Sequence, residues 1–413
     1  MTELPLRPLR IDDPDDVARW ATLISHVFQF QRPDAAELAW RRERSLGQRV
    51  SVVEDAGDLV AAFRSYDTTL SVPGGALVPA DAVSGVVVQP THKRRGLLTR
   101  WLSDDLRDAH RRGDVAAVLF ASEAGIYGRY GFGVATAVGR WRIDVPRARF
   151  RRPPTGQVRI VEADEARVSV EALYEAAQRR SAGSIGRSPA SWRTSLGVTD
   201  LVPDSRKRWY ALHLADGSRV PDGLLSYTLH DDWRGPRPRS RLDVQDLVAQ
   251  TDAAEDALLQ YACHVDFLAT VSVDRAPGWE LPHLLTDPRA ARVDRLADGL
   301  WVRILDVPAA LESRGYRIDG SVVIQVDDPL GLCSGRWRLQ VEAGIARCRA
   351  TTDEPDLTLG VAALGCLWLG GDVAVPSIAA LVRTGAARAA SDDVARVSAL
   401  FGCPAAPFSL THF

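Results

Sequence analysis

Three cations closed by a glycine, Lys93-Arg94-Arg95-Gly96, stand between two apolar stretches of different period. Before them, Val83, Val86, Val87 and Val88 have the β-branched composition of a buried strand, and Pro90 ends it because proline cannot donate to a sheet ladder. After them, Leu97, Leu98, Trp101, Leu102 and Leu106 fall at three-and-four spacing, which predicts one buried face of a helix. The basic turn therefore opens a helix, where unpaired N–H groups and the positive end of the dipole favour an anion. Gly96 would let the backbone close on that anion, and a pyrophosphate suits the charge. Taken alone, KRRG also fits a solvated surface turn, so its surroundings decide.

The surroundings supply a second signature. Val115 to Phe120 form another short apolar run, reached through a helix that ends His110-Arg111-Arg112-Gly113, a basic last turn with a glycine stop. Then comes Ser122-Glu123-Ala124-Gly125-Ile126-Tyr127-Gly128-Arg129-Tyr130-Gly131-Phe132. Strand, basic glycine loop, helix, strand and Tyr-x-x-x-Gly-Phe, in that order, resembles the GNAT superfamily of acyl-CoA-dependent N-acetyltransferases. Lys93 and Leu98 depart from the broad superfamily loop pattern, and neither removes a backbone donor. The longer strings PTHKRRGLL and SEAGIYGRYGFG are similar to the Eis family, the enhanced intracellular survival acetyltransferases of actinobacteria.

That resemblance implies acetyl-CoA as acyl donor and a small-molecule amine as acceptor, an aminoglycoside or a lysine-type amine. It assigns the pantetheine arm to the backbone of Val86, Val87 and Val88 and the pyrophosphate to Arg94, Arg95, Gly96, Leu97, Leu98 and Thr99. Ser122 and Glu123 would flank the arm where two strands splay apart. Tyr127, on the first turn beyond the splay, is the expected general acid, and Tyr130 the better core residue. The carboxylate of the last residue, Phe413, is the expected general base; its ordinary value of about 3.5 would have to be raised by burial.

In the GNAT fold two early helices wall the acceptor site, so Trp20, His26, Phe28 and Trp40 join Ser84, Gly85 and His412 as pocket candidates. Each aromatic, read singly, also fits core packing, and His26 stands out because its charge can change near neutral pH. A polycationic acceptor calls for carboxylates, for which Asp81, Glu37 and Asp34 are available. A penultimate His412 and the space beside Gly85 also admit a less cationic amine. The family further implies a homohexamer.

Composition narrows the alternatives. Hydrophobic residues make up 46% and charged residues 25% of 413 residues, with a formal charge of −2, ordinary values that give no reason to invoke nucleic acid or an anionic membrane. MTELPLRPLR lacks the apolar core of a signal peptide and no run is long enough to span a bilayer, so a cytoplasmic protein is expected. Five cysteines without CxxC spacing indicate neither a disulfide framework nor a zinc site, and no metal is expected.

The elements divide the chain into three units with mixed α/β (α+β) character. Residues 1–152 hold the two early helices, a hairpin of Ser51 to Ala56 with Leu59 to Arg64, a loop from Ser71 to Ala80, and the strand-helix-strand unit, closing with Val134 to Val145. Residues 153–295 repeat the order, but Thr251, Asp252, Glu255 and Asp256 replace the basic turn, so this is expected to be a degenerate GNAT-like domain that binds no CoA. Asp231 to Arg241, rich in proline and arginine, reads as a solvated loop. Residues 296–413 resemble the sterol-carrier-protein-like domain of the Eis family through GLWVRILDVPAALESRGY, EPDLTL and LGCLWLGG. The competing function is a lipid or apolar-ligand carrier built on this third unit beside a non-catalytic CoA-binding module. The tail PAAPFSLTHF has Phe408, Leu410 and Phe413 in a pattern suited to docking, which the resemblance favours over fraying.

Overall fold

The computed structural model describes residues 4–197, 208–233, 239–371 and 374–413. The first part of the chain runs β1 (Leu6–Pro8), α1 (Pro14–Val27), α2 (Ala35–Ser45), β2 (Arg49–Asp55), β3 (Asp58–Ser71), β4 (Leu77–Val88), α3 (Leu97–Arg112), β5 (Ala116–Phe120), α4 (Ala124–Tyr127), β6 (Gly133–Val134) and β7 (Ala137–Asp144). There follow β8 (Gln157–Val161), α5 (Ala163–Arg180), α6 (Pro189–Ser195), β9 (Arg208–Leu214), β10 (Gly223–His230), β11 (Ser240–Ala249), α7 (Asp252–His264), β12 (Leu268–Arg275), α8 (Leu281–Leu284) and β13 (Ala291–Asp298). The last part holds β14 (Leu300–Ile304), α9 (Val307–Ser313), β15 (Gly320–Asp327), β16 (Gly335–Glu342), β17 (Ile345–Ala350), β18 (Leu357–Gly360), α10 (Val361–Trp368), α11 (Ile378–Arg383), β19 (Ala387–Ala389) and α12 (Ser391–Phe401). No described helix is long and apolar enough to cross a membrane.

Three sheets organise these elements: β1-β2-β3-β4-β5-β14-β6, β13-β7-β12-β11-β10-β9-β8, and β17-β16-β15-β18-β19. The first two exchange strands. β7, expected to close the first unit, lies between β13 and β12 of the second sheet, while β14 from the last part of the chain enters the first sheet between β5 and β6. The two strands cross over at Thr136 and Gly299: the Gly299 N–H donates to the Thr136 carbonyl, and the Thr136 hydroxyl accepts from the Leu300 N–H at 2.7 Å. A Cβ on Gly299 would lie 2.5 Å from that hydroxyl, so only glycine lets the chains pass this closely.

The segment expected to loop from Ser71 to Ala80 is half strand, at Ser71 and from Leu77 to Ala80. Pro73-Gly74-Gly75 makes a tight turn with Val72 donating to Ala76, and β3 and β4 pair antiparallel from Ser71↔Leu77 onward. Positive φ values of 93° and 84° at Gly74 and Gly75 permit it. Of the expected loop Asp231 to Arg241, residues 234–238 lie outside the described residues, and Ser240 and Arg241 begin β11.

One apolar cluster joins the first sheet to the third, running from Leu70, Val78 and Val118 through Val302 and Ile304 to Ile324, Leu359 and Trp368. Helix α10 makes the contact: a Cβ on Gly365 would come within 2.4 Å of the Val302 carbonyl, and one on Gly133 within 1.9 Å of the Ala362 carbonyl. Its apolar residues are thus spent on β14 and β6.

Candidate active site

Strands β4 and β5 pair in parallel only at Ala80↔Ala116, Asp81↔Ala117 and Ala82↔Val118. Beyond Ala82, β4 continues to Val88 while β5 turns away to pair with β14 as far as Phe120↔Leu300. The strands therefore part, leaving the edge of β4 from Val83 onward with no strand beside it on that side among the described residues. A bulge sharpens the divergence: register slips between Ala62 and Arg64, opposite Gly85, which holds φ at 61°.

At the wide end of this opening lies the basic loop. Arg94 and Gly96 adopt left-handed conformations, φ 64° and 75°. Helix α3 starts at Leu97 with no side-chain cap, and the space beyond Gly96 is clear for at least 4 Å from an ideal Cβ. Lys93, Arg94 and Arg95 are exposed, while Leu97 turns inward to pack against Trp101, and Leu98 is half-buried. An uncapped helix start behind a left-handed turn is an anion cradle. The Thr99 hydroxyl reaches Tyr130 at 2.8 Å, fastening the helix start to the turn that carries Tyr127. The matching turn before α7 is different: Thr251 caps it, Asp252 pairs with Arg180 at 2.5 Å, and Glu255 pairs with Arg275 at 3.3 Å.

Where β5 ends, a cavity of about 550 Å³ opens. Its walls include Val83 to Val86 of β4, Ala121 and Ser122 after β5, Tyr127, and Trp20, Phe28 and Trp40 from the two early helices. Tyr127 is 8% exposed and edge-on to Phe132 at 6.1 Å. Among the described residues no group hydrogen-bonds its hydroxyl. Burial first, with Glu123 and Tyr130 adding to it, pushes this phenol up to about 12. Glu123 itself is exposed and caps nothing.

The tail also reaches the cavity, held by the second part of the chain. Ser181 and Ser184 donate to the Phe408 carbonyl at 2.7 and 3.0 Å, Arg187 donates to the Leu410 carbonyl at 2.6 Å, and Tyr174 bonds the Thr411 hydroxyl at 2.7 Å. His412 then lies on the Phe120 ring at 4.1 Å, and the Phe413 ring meets Phe120 at 5.2 Å and Tyr66 at 5.7 Å, both edge-on. Each hydrogen bond contributes about 1 kcal/mol, which together offset the entropy of ordering a terminus. Burial holds the His412 imidazole below its ordinary value, so it is neutral at pH 7.

Two groups of expected residues stand elsewhere. His26 is exposed on the far side of α1, away from the buried stripe of Val17, Trp20, Ala21 and Ile24. The carboxylates expected to face a cationic acceptor are engaged: Asp34 caps α2, Glu37 pairs with Arg41 at 2.6 Å, and Asp81 is fully buried between Arg49 and Arg112. Asp67, Asp81 and Asp114 converge within 4.8 Å, but the two guanidiniums are already inserted among them. Sequence reasoning missed Arg41, Arg44 and Arg64, which line the cavity.

Residues 8–135 and residues 183–304 each match an acetyltransferase (GNAT) domain family, and residues 307–409 match the sterol carrier protein domain family. An uncharacterized N-acetyltransferase of Streptomyces avermitilis is 42% identical over 407 residues, covering 94% of this chain and 96% of its own. The crystal structure of Eis1 from Mycobacterium abscessus superposes with a TM-score of 0.84 at 31% identity over the whole of both chains. A GCN5-related N-acetyltransferase from Anabaena variabilis, 18% identical, shares the fold with a TM-score of 0.82 over 99% of this chain and all of its own. The N-acetyltransferase Eis of Mycobacterium tuberculosis is 35% identical over 353 residues, 83% of this chain and 84% of its own. Two GNAT domains, a sterol-carrier domain and 35% identity to Eis over 83% of the chain make this chain a member of the Eis family of GNAT N-acetyltransferases.

Proposed function

We propose that the cavity between β4 and β5 joins the thioester of acetyl-CoA to a primary amine, with Tyr127 as general acid and the Phe413 carboxylate as general base. The observation that carries this reading is that Tyr127 and Phe413, 286 positions apart in the chain, line one cavity beside the strand splay. The amine nitrogen attacks the thioester carbon and the C–S bond breaks. The departing thiolate takes the Tyr127 proton, and the nitrogen gives its proton to the terminal carboxylate. The free edge of Val86 to Val88 would pair with the pantetheine amides, and the α3 start with Arg94 to Thr99 would hold the pyrophosphate. Ser122 would border the arm from the other strand.

The Arg94 and Arg95 side chains are exposed, so their contribution is electrostatic attraction rather than a buried bond. Reversing both charges, Arg94→Glu with Arg95→Glu, is expected to raise the acetyl-CoA KM roughly tenfold with kcat little changed, since the loop is remote from the reacting atoms. A defect confined to the amine KM would contradict the loop's role.

Testing the base separates its charge from its ring. Deleting Phe413 removes both; appending one glycine keeps the ring and displaces the carboxylate. Each is expected to lower kcat by roughly 10²-fold, the scale of a lost acid or base. Full turnover by the glycine-extended chain would move the base elsewhere, and neutral His412, which lines the same cavity, is the first candidate.

A further inference from the structure

The charge of the cavity wall has the opposite sign to that needed for a polycationic acceptor. Arg41, Arg44 and Arg64 line it, and Glu37 offsets only Arg41. Arg64 is 9% exposed; its guanidinium donates to the Ser84 hydroxyl at 3.0 Å, and its Nε is buried without an acceptor. Arg44 lies over the Trp40 ring at 5.4 Å, and among the described residues no carboxylate pairs with it. The acids of the adjoining cavity that Arg44 also borders are engaged: Asp246 with Arg187 at 2.6 Å and Asp274 with Arg140 at 3.2 Å. A third donor, the Trp20 indole Nε1, is likewise buried with no partner among the described residues. The terminal carboxylate is one negative charge against two guanidiniums that have no carboxylate partner among the described residues.

Burial, reinforced by the like charges of Arg44 and Arg41, brings Arg64 down only to about 10, and burial lowers Arg44 as well. Arg64 therefore stays cationic at neutral pH. A buried guanidinium without an anion is costly, and carboxylate or phosphate matches its fork of N–H donors. The aromatic walls Trp20, Phe28, Trp40 and Phe120 suit an apolar body between that anion and the amine.

We infer that the acceptor is an amine that also carries a carboxylate or phosphate, held by Arg44 and Arg64 while the aromatic rings enclose its apolar body. This rests on the acetyl-transfer reading above and names the acceptor class for the same cavity.

The test compares four amines of one shape: 4-(aminomethyl)benzoate, 4-(aminomethyl)phenyl phosphate, the neutral N-methylamide of the benzoate, and para-xylylenediamine. Thiol release from acetyl-CoA is followed with the full chain. The anionic pair is expected to exceed both other arms in kcat/KM by roughly tenfold or more, the scale of a charge-assisted hydrogen bond, and the better of the two identifies the anion. Arg64→Met and, separately, Arg44→Met should abolish the preference by raising the acceptor KM while the acetyl-CoA KM holds; Arg64→Lys should restore part of it. Equal or better turnover of the diamine overturns the inference, as does a rise in acetyl-CoA KM in place of acceptor KM. If no arm releases thiol, the acetyl-transfer reading fails by itself. Calorimetry with the benzoate then decides the anion site: binding lost in Arg44→Met supports it, and no binding to the unaltered chain overturns it.

Discussion

Replacing Tyr127 with phenylalanine is expected to lower kcat by roughly 10²-fold or more, with acetyl-CoA affinity almost unchanged. The substitution removes one oxygen and keeps the ring that meets Phe132 edge-on, so folding stability should stay within about 1 kcal/mol. Among the described residues the hydroxyl has no partner to lose; its partner in the proposed reaction is the departing sulfur. A phenol pushed up to about 12 would be a poor acid toward a thiolate in water. Burial acts on both partners, however: the buried thiols of Cys263 and Cys366 are also pushed up to about 12 by desolvation. A CoA sulfur enclosed beside Tyr127 would be raised in the same sense, which keeps transfer within a hydrogen bond feasible. The sign of the pH dependence follows. Tyr127 remains protonated at neutral and mildly alkaline pH, so its ionisation should produce no fall in kcat until pH approaches about 12. Unchanged kcat in the phenylalanine variant, measured by thiol release, would remove Tyr127 from the chemistry.

What was legible in the residues was local. The basic turn and the Tyr127 turn are contiguous strings whose chemistry follows from spacing, and the helix start and strand splay lie where the pattern places them. The tail was harder: its apolar pattern suggested docking, but the groups that hold it, Ser181, Ser184, Arg187 and Tyr174, come from a distant segment. Strand exchange left no periodic signal, because β13 and β14 are separated only by Gly299 and the crossing is fixed by Thr136. His26 was drawn in by its chemistry although the helical stripe already put it on the outer face. From sequence Asp81 looks like an available carboxylate, because its partners Arg49 and Arg112 are remote in the chain. Arg44, in the last turn of α2, has the signature of a solvated cation, and only the tertiary structure turns it into the cavity.

The same dependence on distant partners makes Arg303→Met the largest expected loss of stability, about 3–5 kcal/mol. Arg303 sits on β14, inside the first sheet, yet its guanidinium meets Asp328, beyond β15, at 2.7 and 2.8 Å, and both side chains are 0% exposed. It also donates to the carbonyls of Tyr130 and Ile304, while Asp328 accepts from the N–H groups of Leu330, Leu332 and Cys333. Burial alone would raise the Asp328 carboxyl, but Arg303 and these N–H groups outweigh it and hold it below its ordinary value. Its contribution to stability is therefore full above the unfolded value of about 3.9 and is lost as pH falls through the folded value. Methionine at 303 leaves a buried carboxylate without its cation. Asp328 should then titrate above its unfolded value, so the variant should regain stability on acidification from pH 7 to pH 5, opposite in sign to the parent's contribution. Urea unfolding at both pH values checks this, and pairing Arg303→Met with Asp328→Leu should recover most of the loss because an apolar pair leaves no orphaned charge. A loss below about 1 kcal/mol, or a double variant worse than the single, would count against the pair as a bolt between sheets. Activity should follow the same contact: Arg303 grips the Tyr130 carbonyl and the Tyr130 hydroxyl grips Thr99, so this side chain helps to tie the third sheet to the start of α3, beside Leu330 and Leu332, which pack on the same cluster.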